Sequence, residues 1–134
     1  MKGNMPQPAV IVFVCEHGAA KSIIAATYFN RLAREKNLHL HAVARGTHPD
    51  AELSPHTVAG LQEDGLTPTE SIPIKLTWED IGAGQRIVSF CDLPDKYHHK
   101  AVVEQWRDVP PVSENYGQSR DAILARLQKL IDDL

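Results

Sequence analysis

The run Ala9–Cys15, AVIVFVC, constrains this chain more than any other segment. Every position is apolar and most are β-branched or aromatic. A strand with one solvated face would alternate. An unbroken apolar run of this length fits a strand covered on both faces, as in a parallel sheet. The loop Glu16, His17, Gly18, Ala19, Ala20, Lys21 follows at once. Ser22–Lys36 then reads as a helix, with Ala25, Phe29 and Leu32 at helical spacing and Ser22 as a candidate cap.

The remaining elements fall into the same alternation. Leu38–Arg45 alternates as a second strand, with His39, His41 and Val43 on one face. Ser54 and Pro55 are an N-cap and a first-turn proline, and Gly65 ends the short helix they open. Thr77–Asp80 has the form of a capping box for one helical turn, stopped by Gly82. Arg86–Cys91 reads as a third strand and Val102–Trp106 as a fourth. Ile123, Leu127, Leu130, Ile131 and Leu134 form the apolar stripe of a last helix, with Ser119 as its expected cap. Strands alternating with helices predict a parallel sheet with helices on both faces. One domain spanning 1–134 is expected, with residues 1–8 as a loose lead-in.

Charge and cysteine usage narrow the function. The formal net charge is −3, whereas general binders of nucleic acid or anionic membranes are usually basic. No apolar run approaches the roughly 20 residues of a membrane span. Ala9–Cys15 is preceded by a single Lys and followed by Glu16 and His17, so it reads as a strand, not a signal peptide. Two cysteines make neither a disulfide framework nor a zinc-ligand spacing. The expectation is a cytoplasmic protein with free thiols, no metal, no cofactor, and no nucleic-acid or membrane partner. His39 with His41, and His98 with His99, read as packed, edge or loop residues.

Chemistry concentrates at the first strand's end. In open parallel sheets ligands bind beyond the carboxyl ends of the strands, and Cys15 stands at such an end. Small residues in the following loop let backbone N–H groups approach a bound anion closely. The next helix adds the partial positive charge of its N-terminus, and Lys21 adds a full one. Together these favour a thiolate at Cys15, with the Ser22 hydroxyl as a further donor to the sulfur. Residues 16–22 thus form a candidate anion cradle over a nucleophile, suited to covalent catalysis through a thiophosphate. The plainer reading is a buried strand-end cysteine beside a solvated lysine.

The segment Val12–Ser22, VFVCEHGAAKS, resembles the opening of the low-molecular-weight tyrosine phosphatases and their arsenate reductase branch, where a first strand runs into C-x5-R-S. Arg45–Thr47, Ser54 with Pro55, and Glu63–Gly65 resemble that family's A-G-T, N-P and D-G segments. Lys75–Asp80 resembles its L-T-x-x-D turn, and Trp106–Pro110 its W-D-V-P-D-P region. The resemblance runs from about Val10 to Leu134. It implies a flavodoxin-like α/β/α fold with a four-stranded parallel sheet. It also implies phosphate, sulfate or arsenate as the bound oxyanion. Cys91 followed by Asp92 resembles the reductase branch, in which a second cysteine attacks the nucleophile; the third cysteine of the thioredoxin-coupled reductases is His98 here.

Three departures bear on activity. Lys21 replaces the family's arginine, exchanging a planar two-pronged fork for a point charge. His17 and Gly18 replace Gly-Asn, and Glu16 brings a negative charge to the loop. Pro111 stands where the general-acid aspartate would be, leaving Asp108 and Glu114 as the nearest carboxylates; both also read as exposed loop carboxylates. Asp108 is the candidate substitute. Trp78, Tyr97, Trp106 and Tyr116 are packing or rim residues, with Tyr116 best placed for a substrate mouth. The first expectation is therefore a phosphate-monoester hydrolase acting through phospho-Cys15, with weak activity, on a substrate such as a phosphorylated protein. The second is an arsenate reductase using Cys15, Cys91 and an external small thiol. The third is a non-catalytic oxyanion- or partner-binding protein.

Overall fold

A computed structural model describes residues 9–98 and 102–134. The lead-in expected over residues 1–8, and His99 of the histidine pair, lie outside the described residues. Four strands, β1 (Ala9–Cys15), β2 (Leu40–Gly46), β3 (Gly84–Ser89) and β4 (Val103–Gln105), form one parallel sheet in the order β2-β1-β3-β4. The helices are α1 (Lys21–Glu35), α2 (Pro55–Glu63), α3 (Trp78–Ala83), the single turn α4 (Asp95–His98) and α5 (Tyr116–Asp132). This is the parallel sheet with helices on both faces that the alternation predicts, in the flavodoxin-like three-layer α/β/α form that the resemblance implies.

Strand β1 is central and buried on both faces, which is why it carries no polar residue. Ile11, Phe13 and Cys15 face one core with Phe29 of α1 and Leu127 of α5. Phe13 lies between Phe29 and Trp106, with ring centroids 6.1 and 5.8 Å away. Val12 and Val14 face the other core, with Ile81 of α3, Leu76, Leu93 and Tyr97. Each such fully buried side chain contributes about 1.5–3 kcal/mol relative to exposure. Cys15 pairs with Gly46 in register, so the ends of β1 and β2 lie side by side.

Several local expectations are corrected. Ser22 does not cap α1: Ala20 holds that position without a side-chain bond, because the Ser22 hydroxyl turns toward Cys15 instead. Asn115, not Ser119, caps α5 and accepts from the Gln118 amide at 3.0 Å. Ser119 is buried one turn on and donates to the Pro110 carbonyl at 2.6 Å. The Thr77–Asp80 capping box is present, but α3 runs through Gly82 to Ala83. Strand β2 starts at Leu40, after Asn37 turns the chain with φ 55°. Strand β3 ends at Ser89, which places Cys91 in the turn beyond it. Among the described residues no helix is long and apolar enough to cross a membrane.

Candidate active site

Cys15 is the last residue of β1, and its side chain lies at the floor of a cavity of about 360 Å³. Glu16, His17, Ala19, Ala20 and Lys21 line it from the loop after β1, together with Asp50, Ser54, Phe90, Cys91 and the segment Pro111, Val112 and Ser113. A larger cleft of about 430 Å³ at the β4 edge, lined by Arg86, Glu104, Arg126 and Lys129 among others, holds no nucleophile.

The loop's orientation follows from its hydrogen bonds. The carbonyls of Cys15, Glu16, His17 and Ala19 accept from the amides of Thr47, His48, Asp50 and Ser54, at 3.2, 2.7, 3.0 and 2.9 Å. With its carbonyls turned outward to that segment, the loop leaves its amides for the opposite side. Among the described residues, no amide of His17–Lys21 donates to a protein acceptor. Successive free N–H groups at a helix N-terminus form an anion-binding concavity. Gly18 makes this path possible, with φ 62° and a backbone so close to Gly46 that a Cβ on either would meet backbone atoms at 2.9 and 2.7 Å respectively.

The Ser22 hydroxyl is fully buried and its Oγ lies 3.0 Å from Cys15 Sγ. It can donate to the sulfur when Cys15 is ionised. Lys21 lines the cavity, but its ammonium donates to the carbonyl of Val109 at 2.8 Å. It therefore straps the cradle to the 109–113 wall. Asp108, the sequence's candidate acid, is not among the cavity's lining residues. It pairs with Arg126 of α5, and that hydrogen bond holds its carboxyl below the ordinary range. Glu114 does not line the cavity either, although neighbouring Ser113 does.

Cys91 shares the cavity with Cys15. Burial pushes its thiol pKa up; a hydrogen bond with Ser89 opposes this, and negative charge at Cys15, Glu16 and Asp92 adds to the rise. The Ser89 hydroxyl also donates to the Cys91 carbonyl at 2.7 Å and accepts from its amide at 3.2 Å, fixing the turn.

Tyr116, the aromatic best placed for a substrate mouth, does not line the cavity, and the others pack as the sequence reads them. Trp106 is in the core and donates from Nε1 to Glu104 at 2.7 Å. Trp78 packs on Tyr97 with centroids 4.8 Å apart. Tyr116 packs over Gly60 and donates to Asp64 at 2.8 Å, beside Tyr28 at 2.5 Å and the Arg120 guanidinium at 3.1 Å. Among the described residues no cluster of His, Cys, Asp and Glu could hold a metal ion.

Sequence reasoning missed two features of this site. Asp50 lines the cavity and lies 3.2 Å from the His17 ring, Oδ1 to Nδ1. Arg45 bridges Asp80 and Glu70 at 3.0 and 3.5 Å, bracing the end of β2 against the capping box of α3. Both arise from residues far apart in the chain, with no local spacing to signal them.

The fold matches solved structures of phosphatases and arsenate reductases. A low-molecular-weight phosphotyrosine phosphatase from Vibrio cholerae O395 aligns with TM-score 0.77 at 18% identity, covering 93% of this chain and 95% of that one. An arsenate reductase from Archaeoglobus fulgidus aligns with TM-score 0.69 at 23% identity, covering 91% and 98%. A YwlE mutant from Bacillus subtilis aligns with TM-score 0.76 at 18% identity, covering 93% and 97%. No protein-family model matches the chain, and no curated protein matches it in sequence. At these identities the likeness establishes the fold shared by these phosphatases and reductases.

Proposed function

We propose that this chain is a cysteine-dependent phosphate-monoester hydrolase working through phospho-Cys15. The observation that carries this reading is the loop over Cys15: its carbonyls are turned outward, its amides are free, and Ser22 stands 3.0 Å from the sulfur. An anion held by those amides would present its phosphorus to Sγ. Cys15 attacks, the ester oxygen departs with its electron pair and takes a proton, and water then releases phosphate and regenerates the thiolate. A protein of the same fold, the YwlE arginine phosphatase, is known with a phosphorylated active-site serine in a Cys-to-Ser mutant, which supports a covalent step on this fold. Lys21 contributes charge from the wall rather than a two-pronged grip, so the wild-type rate is weak. The proposed substrate is a phosphorylated protein or smaller ester in the cytoplasm.

Cys91 favours a second reading. Its presence in the same cavity suits an arsenate reductase, in which Cys15 binds arsenic, Cys91 attacks the Cys15 sulfur, two electrons pass to arsenic, and an external thiol reduces the disulfide. Aryl phosphate hydrolysis by the wild type and by Cys15→Ser, run beside arsenate-dependent thiol oxidation, separates the two. Hydrolysis lost in Cys15→Ser supports the first; oxidation without hydrolysis supports the second. Phosphate binding with neither activity indicates a non-catalytic oxyanion binder.

A further inference from the structure

The cavity contains a nucleophile and an anion cradle, but its proton donor is not where the resemblance would put it. Pro111 has no ionisable group, and Asp108 is committed to Arg126. A phosphate ester with a basic leaving group nonetheless needs a proton as its P–O bond breaks. The groups that line the cavity and can exchange a proton, apart from Cys15, Cys91 and the strapped Lys21, are Glu16, His17 and Asp50.

His17 and Asp50 are built as a pair. Asp50 Oδ1 lies 3.2 Å from His17 Nδ1, and the Asp50 amide donates to the His17 carbonyl at 3.0 Å, so both backbone and side chain fix the partners together. Glu16 Oε1 stands 4.0 Å from the other ring nitrogen, Nε2. The His17 and Asp50 side chains are 57% and 55% exposed, so the ring is at the mouth and accessible to a bound ester. A carboxylate on Nδ1 orients an imidazole and leaves Nε2 to give and take a proton.

We propose that His17 is the general acid and base of this site, with Asp50 as its positioning residue. The proposal rests on the hydrolase reading above. In the first step the Cys15 sulfur bonds to phosphorus, the ester P–O bond breaks, and the leaving oxygen takes the Nε2 proton. In the second, water attacks phosphorus, its proton passes to the now neutral His17, and the S–P electron pair returns to Cys15. No other reactant is required.

The test is the dependence on leaving group. Phenyl phosphate has a basic leaving group and needs an acid; 2,4-dinitrophenyl phosphate leaves without one. His17→Ala is expected to lower kcat/KM, which reads the transfer to Cys15 alone, by about 10²–10⁴-fold on phenyl phosphate, the usual contribution of a general acid, and by less than about tenfold on the dinitrophenyl ester. Added imidazole should restore part of the phenyl phosphate rate. Asp50→Asn should show the same split with a smaller loss. Equal losses on both esters, or no loss on either, in an active wild type would overturn the proposal and leave the hydrolase reading standing. If the wild type, like Cys15→Ser, turned over neither ester, both would fall.

Discussion

The ammonium of Lys21 donates to the backbone carbonyl of Val109 across 2.8 Å, tying the first residue of α1 to the wall that faces the Cys15 cradle. One cation thus has two demands on it: bracing this wall and balancing a bound oxyanion. A hydrogen bond from a charged donor is worth about 1.5–3 kcal/mol, so the strap competes directly with anion contact. An arginine at this position has five donors in a planar fork and could serve both.

Lys21→Arg is therefore expected to raise kcat on aryl phosphates. Lys21→Ala should lower the affinity for inorganic phosphate by at least about tenfold, or about 1.4 kcal/mol. Steady-state kinetics with phosphate as competitive inhibitor reads both. If Lys21→Arg is as inert as Cys15→Ser, hydrolysis is not the function.

Oxidation should join Cys15 to Cys91, because both thiols line one cavity. Mild peroxide should give an intramolecular disulfide, seen as a loss of two hydrogens in intact mass and abolished by Cys91→Ser. Cys91 has its thiol pKa raised, above all by burial, so little of it is ionised near neutrality. Once Cys15 is oxidised, the attack by Cys91 should speed up as pH rises through and beyond the ordinary thiol range of about 8.5. Accumulation of a Cys15 sulfinic acid without a bridge would exclude the resolving role.

Away from the cavity, Asp64 accepts from Tyr28 and Tyr116 and pairs with Arg120, joining α1, the end of α2 and α5. Burial alone would raise its pKa, but these three partners together hold it below the ordinary carboxylate value, while burial and the Asp64 contact push Tyr28 up to about 12. A depressed carboxylate stabilises the fold above its unfolded pKa, about 3.9, and that contribution is lost as pH falls through the lower folded value. Asp64→Asn should cost about 1–3 kcal/mol at neutral pH and flatten the loss of stability below about pH 4. Urea unfolding of both proteins across that window measures it.

How much of this was legible in the sequence follows from how local each signal is. Ala9–Cys15 announced a doubly covered strand because burial on both faces leaves no polar position, and the cradle followed from the cysteine and small residues after it. The fourth strand, Val103–Gln105, lies at the sheet edge with every residue only half-buried, and its pattern was correspondingly weak. Caps were harder: Ser22 and Ser119 have the right chemistry, but tertiary partners at Cys15 and Pro110 claimed their hydroxyls. Lys21 looked like an anion ligand because its partner, Val109, is 88 residues away. The His17–Asp50 pair was invisible for the same reason, since the loop that brings them together is held by backbone bonds that any sequence could make.

The contact between Gly18 and Gly46 makes the last prediction. A Cβ on Gly46 would stand 2.7 Å from the Gly18 nitrogen and 2.9 Å from its Cα, and those are backbone atoms that cannot rotate aside. The cradle would have to move, carrying its free amides out of register with Cys15. Gly46→Ala should thus cost about 1–3 kcal/mol as an overpacked site and also abolish most phosphate affinity. Gly65 supplies the control. Its φ is 78°, so alanine there is strained by roughly 1–2 kcal/mol, but nothing lies within 4 Å of the added Cβ and the cavity is not involved. Gly65→Ala should lose comparable stability in urea while keeping wild-type phosphate affinity. Phosphate titrations on both variants, under conditions where each is fully folded, distinguish a displaced cradle from general loosening. Equal affinities in the two variants would show that the loop amides are not what holds the anion.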